Sequence, residues 1–205
     1  MTDIHWKNPK KRKLSDEEDT IPNSDSDTIF VQQNHIHFNG DISNKTAFLL
    51  KRELLALSIE LRSQRITLGI ENQPIYLHLT TNGGDIYAAF SVVDCISKLK
   101  SPVYTIIDGY CASSGTLISL AGEKRFINEN AYMLIHELRS CMSWGKMTSI
   151  DEEYINLRKI MDHIIEYYIK RSGISRKRLE RILKKDLNWN ADECIKNGLV
   201  EGKTK

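Results

Sequence analysis

From Ile29 onward, short β-type apolar runs alternate with longer stretches of helical periodicity. Ile29–His37 holds short β-type pieces, and Asn39-Gly40-Asp41 reads as a turn. Over residues 44–63, Phe48, Leu49, Leu54, Leu55, Ile59 and Leu61 outline a broad helical face. Pro74 opens a strand that runs from Ile75 to Thr80, and Asn82-Gly83-Gly84-Asp85 leads from it into a helix. That helix turns Ile86, Phe90, Val93, Ile96 and Leu99 inward. Pro102 starts the next strand, Val103–Ile107, which Asp108-Gly109 is expected to end. A short helix of small residues spans about Ser113 to Ala121, and strands follow near Lys124–Ile127 and Tyr132–Glu137. A long helix covers roughly Thr148–Arg171, with Ile155, Ile160, Ile164, Ile165 and Tyr168 apolar and Gly173 placed to close it. Ser175 begins another helix to about Leu183. Asn190-Ala191-Asp192-Glu193 has capping-box spacing, and the helix it opens stops at Gly198. Strand–helix alternation of this kind predicts an α/β layered domain.

Residues 1–28 break the pattern. The basic run Pro9-Lys10-Lys11-Arg12-Lys13 is followed by Ser15-Asp16-Glu17-Glu18-Asp19 and then by Ser/Asp repeats. Such a segment cannot bury enough apolar surface to offset its ordering entropy, so it reads as a disordered tail. The basic run resembles a nuclear-import signal, and it also reads as a solvated charge cluster. At 205 residues the chain is long enough for one well-cored domain and too short for two comfortable ones. Its formal net charge of +2 supplies no field that would argue for nucleic acid as a partner. Apolar runs such as Tyr132–Ile135 and Ala47–Leu50 are far shorter than a membrane span. No apolar segment follows the basic N-terminal residues as in a secretory signal, so a cytoplasmic protein is expected.

Cys95, Cys111, Cys141 and Cys194 are widely spaced and read as free thiols. The six histidines are scattered as well, so neither a metal centre nor another cofactor is expected. His78, between Leu77 and Leu79, reads as structural.

Two strand-to-helix turns carry the candidate chemistry. At Gly83-Gly84 the missing side chains would let a substrate approach the main chain, and the following helix start offers free N–H groups. At Gly109-Tyr110-Cys111-Ala112-Ser113-Ser114-Gly115, a serine sits at a helix start among small neighbours. This is not the G-x-S-x-G elbow, because no glycine stands two positions before Ser113. His136, at the end of Tyr132–Ile135, is a base that could reach the hydroxyl. Each signal has a plainer reading, as a turn, a helix cap and a structural histidine. Composition and spacing reach a hydrolase and no further.

The order of these pieces resembles the Clp protease proteolytic subunit family. Thr80-Thr81-Asn82-Gly83-Gly84 is similar to its Asn-Ser-Pro-Gly-Gly turn, and Gly109–Gly115 to its G-x-A-A-S-M-G motif. Leu134-Ile135-His136 resembles its M-I-H-Q-P strand end. Asp186, ahead of Asn190-Ala191, falls on the aspartate of E-R-D-x-F-L-S-A, and Glu193–Val200 is close to E-A-x-x-x-G-L-V. The resemblance implies a spiral of β-β-α units of the ClpP/crotonase type over residues 29–205. Leu138–Lys146 would be a projecting handle strand and Thr148–Arg171 its helix. It implies a serine endopeptidase with Ser113 as nucleophile, His136 as base and Asp186 as its orienting partner, and the backbone N–H groups of Gly84 and Ser114 as oxyanion donors. It further implies a homo-oligomer of two stacked seven-membered rings. These enclose a chamber and take unfolded protein from a hexameric AAA+ ATPase, the isolated rings cleaving short peptides.

Three departures mark this chain. Glu137-Leu138 stands where the family has Gln-Pro, the handle keeps only Gly145 of a Gly-Gly pair, and the tail before Ile29 is long and charged. The competing reading is a non-catalytic ring subunit that binds or regulates active partners. The crotonase group shares the spiral but does not need a Ser–His–Asp set at these spacings.

Overall fold

A computed structural model describes residues 28–139 and 146–204. The charged tail, with its Pro9–Lys13 run, and most of the expected handle strand lie outside the described residues.

The framework is a mainly parallel sheet flanked by helices. Strands β1 (Ile29–Gln32) and β2 (His35–Asn39) form an antiparallel hairpin, and β2 then pairs in parallel with β3 (Ile75–Thr81). The next strand, β4 (Val103–Ala112), pairs in parallel with β3 on one side. Its other side is shared: Tyr104–Ile107 pair with β5 (Lys124–Ile127), and Tyr110–Ala112 with β6 (Tyr132–Leu134). The expected stop at Asp108-Gly109 is therefore a change of partner within one ten-residue strand, accompanied by a bulge where Leu79 and Thr81 meet Ile107 and Cys111. Two short strands complete the sheet, β7 (Asn188–Trp189) on β6 and β8 (Gly202–Lys203) on β5.

Strand β3 shows how the layers arise. Ile75, Leu77, Leu79 and Thr81 are buried, while Tyr76, His78 and Thr80 alternate onto the other face. The buried side meets the helices. Helix α1 (Asn44–Leu68) presents Ala47, Leu50, Leu54, Leu57 and Leu61 to the core, one side of a 3.6-residue period. Phe48, Leu55 and Ile59, expected on that face, are instead 64%, 50% and 70% exposed. Together with Ile66 they repeat at intervals of seven, four and seven along the outer side. Helix α2 (Ile86–Lys98) buries Ala88, Ala89, Val92, Val93 and Ile96. Helix α3 (Ser114–Ala121) is buried except at its last residue, which explains its small side chains.

The long helix α4 (Met147–Ser172) buries Ile164, Ile165 and Tyr168 in its second half, whereas Tyr154 and Ile155 in its first half are exposed. Gly173 closes it in the left-handed region, its N–H on Ile169 O. Helix α5 (Arg176–Leu183) packs Leu179 and Leu183 inward. Helix α6 (Ala191–Lys196) opens with both bonds of the expected capping box, Glu193 N–H to Asn190 Oδ1 and Asn190 N–H to Glu193 Oε2, each 3.0 Å. Asn190→Ala should lower stability by about 1 kcal/mol, read as a Tm decrease of roughly 2–4 °C. An unchanged Tm would show that tertiary contacts alone hold α6.

No helix among the described residues is long and apolar enough to cross a membrane.

Candidate active site

Ser113 is the hinge between β4 and α3, and its backbone is in an unusual conformation, φ 55° and ψ −130°. A side chain at positive φ costs about 1–3 kcal/mol and persists only where its surroundings fix it. Here they do. The Ser113 N–H donates to Leu134 O at 2.8 Å, tying the hinge to β6. Its carbonyl accepts from Thr116 N–H at 3.0 Å and from Thr116 Oγ1 at 2.5 Å. Because that hydroxyl proton is given to Ser113, the Tyr168 hydroxyl donates to Thr116 Oγ1. Burial pushes the Tyr168 phenol far above its ordinary range, more than the Thr116 bond lowers it, so it stays a neutral donor. Neither Thr116 nor Tyr168 is legible as a site residue in sequence, because each reads there as ordinary core.

The Gly83-Gly84 turn packs directly against this hinge. A Cβ on Gly83 would fall 2.6 Å from Ser113 Cβ and 2.8 Å from Ala112 O, and one on Gly84 would fall 2.1 Å from Ile42 O. Both also have positive φ, 94° and 143°. The sequence suggests that these glycines make room for substrate. The structure shows their open sides filled by protein, because two backbone loops must touch. Ser114 Oγ donates to Gly84 O at 3.1 Å and clasps the loops together. Ile42 N–H donates to Gly83 O and Asp85 N–H to Ile42 O, which leaves the Gly84 amide on the opposite side. Among the described residues, no acceptor is bonded to the amides of Gly84 or Ser114.

His136 lies beyond the end of β6, which stops at Leu134 rather than reaching Glu137 as expected. Its Nδ1–H donates to Glu137 O at 2.6 Å, and that tautomer leaves Nε2 with a free lone pair. The Glu137 N–H is in turn held by Leu183 O at 3.0 Å. Ser113, Ser114, Gly84 and His136 all border one cleft of about 280 Å³, with Leu117 and Ile164 among its apolar walls.

Asp186 is not in that cleft. It lies between α5 and β7, where its carboxylate is paired with the Arg139 guanidinium, and both side chains are more than half exposed. Among the described residues, no hydrogen bond joins Ser113 to His136 or His136 to Asp186. The fold thus brings together four of the five expected site residues and gives the fifth a different partner. Arg139 carries no signal in sequence, since it stands beside the segment that departs from the family pattern.

Among the described residues, no Cys and no metal-ligating cluster borders the cleft. Cys95, Cys111 and Cys194 are free, as expected, while Cys141 lies outside the described residues. The histidines correct the sequence reading. His35 and His37 on β2 and the sequence-distant His78 on β3 have their ligand atoms within 4.8 Å of one another.

Comparison with known proteins gives a consistent answer. The family model described as Clp protease matches residues 22–203. The chain is 29% identical over 202 residues to the ATP-dependent Clp protease proteolytic subunit 2 of Treponema denticola, covering 98% of this chain and 94% of that one. It is 29% identical over 180 residues to the proteolytic subunit 1 of Chlamydia muridarum, covering 86% and 88%. A solved ClpP1 mutant from Listeria monocytogenes superposes with a TM-score of 0.72 at 23% identity, covering 84% of this chain and 92% of that chain. That likeness fixes the architecture as the ClpP/crotonase-type α/β fold.

Proposed function

Since the chain belongs to the Clp protease family, we propose that it is a serine endopeptidase subunit in which Ser113 is the nucleophile and His136 the general base. The observation that carries this reading is the strained Ser113 hinge, facing the same cleft as His136 and two unbonded amides. In the reaction, Ser113 Oγ attacks the peptide carbonyl as His136 Nε2 takes its proton. The Gly84 and Ser114 N–H groups receive the developing oxyanion, and His136 then returns the proton to the leaving amine. Asp186 is the third member, and it serves His136 once Arg139 releases it and Nδ1 turns from Glu137 O.

Exposed apolar surface supports an oligomer. Phe48, Leu55, Ile59 and Ile66 form an exposed stripe on α1, and Tyr154 and Ile155 are exposed on the first half of α4. Both suit neighbouring copies in a ring chamber. Two stacked heptameric rings, unfolded protein as substrate, delivery by an AAA+ ATPase and a cytoplasmic setting complete the reading on family resemblance.

One observation favours a second reading, a non-catalytic ring subunit: Asp186 is engaged by Arg139 instead of His136. A fluorophosphonate probe separates the two. Under the peptidase reading, wild type labels in a large assembly, Ser113→Ala does not, and Arg139→Ala labels several-fold faster because Asp186 is freed. Absence of labelling in both wild type and Arg139→Ala, with the assembly intact, would establish the non-catalytic subunit.

A further inference from the structure

We propose that His35, His37 and His78 form a binding site for a divalent transition-metal ion of the zinc type, with Asp108 positioning His78. The site lies on the sheet face opposite the core and shares no residue with the cleft around Ser113.

Strand geometry assembles the ligands. His35 and His37 are two apart on β2 and so project from one face, while His37 is in register with His78 on β3. In a parallel pair, residues in register point the same way, which places three imidazoles side by side. His35 Nδ1 is 2.9 Å from His78 Nε2, and the His37 and His78 rings stack at 4.2 Å. Tetrahedral zinc with bonds of 2.0–2.1 Å needs nitrogens about 3.3 Å apart. The three ligand atoms lie mutually within 4.8 Å, and binding would displace the proton that His35 Nδ1 now donates to His78 Nε2.

The surroundings are those of a built site. His78 Nδ1–H donates to Asp108 Oδ1 at 2.9 Å, which directs the Nε2 lone pair away from Asp108 and toward His35. A carboxylate behind a histidine in this way fixes the ring and raises its basicity toward a metal. Asp108 is itself held by Asn128 Nδ2 at 3.2 Å, and Asn128 Oδ1 accepts from Thr204 Oγ1 at 2.6 Å. Asp108 Oδ2 lies 3.7 Å from His37 Nδ1, so it can assist a second ligand. His78 is only 14% exposed and His37 38%, which gives a shielded inner ligand and an open approach. Three neutral imidazoles favour zinc and its late neighbours over magnesium or calcium, which prefer oxygen ligands. The ion would clip the terminal hairpin to the first parallel strand, with a fourth position left for water or a partner's donor.

The test is zinc titration of the full-length, EDTA-dialysed protein by calorimetry, with cobalt(II) absorption reporting the ligand geometry. One ion per chain is expected, accompanied by a rise in Tm. His78→Gln and His35→Gln should each weaken binding at least 100-fold and abolish the zinc-dependent Tm shift. Asp108→Asn should weaken it about 10–100-fold while keeping the stoichiometry. His163→Gln, on α4 against Phe90, should change nothing. Binding that survives both His35→Gln and His78→Gln, or no binding by the wild type, overturns the proposal. Tm values of the metal-free variants distinguish lost ligands from lost folding, and His35→Gln, nearer the sheet edge, carries the test if His78→Gln is unstable.

Discussion

Ser113→Ala is expected to lower peptide hydrolysis about 10⁶-fold, roughly 8 kcal/mol of transition-state stabilisation, while Ser114→Ala stays within about tenfold of wild type. The adjacent serines differ because the hinge turns them to different sides. Both border the cleft, but Ser114 is 4% exposed and spends its hydroxyl on Gly84 O. Loss of that hydroxyl removes one neutral hydrogen bond, worth about 1 kcal/mol, and loosens the clasp between the two loops. The Ser114 amide stays where it was. Steady-state hydrolysis of a fluorogenic peptide checks the pair, with assembly state measured on the same samples. Activity lost in Ser114→Ala and kept in Ser113→Ala would move the nucleophile to Ser114 and overturn the assignment to Ser113.

Gly84→Ala should have the next largest effect on activity, without touching a reactive group. Its Cβ would sit 2.1 Å from the Ile42 carbonyl oxygen at a φ of 143°. Backbone must move, because neither atom belongs to a side chain that could rotate away. Overpacking and strain together cost about 2–5 kcal/mol of stability. The amide then leaves its place beside Ser113, and misplacing one oxyanion donor costs on the order of 10²–10³ in turnover. Denaturant melts read with single-turnover kinetics separate the two losses. Wild-type turnover in a folded Gly84→Ala protein would remove this amide from the mechanism.

Sequence makes the local units plain and leaves their mutual arrangement obscure. The capping box at Asn190, the closing Gly173 and the strand from Ile75 to Thr80 rest on short-range rules, and each matches the structure to within a residue. Hydrophobicity alone misassigns Phe48, Leu55 and Ile59 on α1, because an apolar residue on the outer side of a helix reads the same as one in the core. Asp108-Gly109 looks like a strand end, since nothing local reveals that β4 exchanges β5 for β6 there. Within the site, Ser113 and His136 are visible because the motifs around them are specific. The pairing of Asp186 with Arg139 joins two loops 47 residues apart, and the histidine group joins two strands through register. Neither leaves a pattern along the chain.

The tie beneath Ser113 also bears on how the protein is made. The hinge depends on Leu134 and, through Thr116, on Tyr168, which is 52 residues beyond Thr116. Contacts so distant along the chain form late, after loop closure has been met by docking of the following elements. During synthesis, Ser113 leaves the ribosome well before the residues that hold its backbone in shape. A nascent chain therefore carries Ser113 without the bonds that hold its positive-φ backbone in the folded protein. Under the proposed peptidase reading, the same long-range tie keeps the growing polypeptide from presenting an activated hydroxyl before its body is complete.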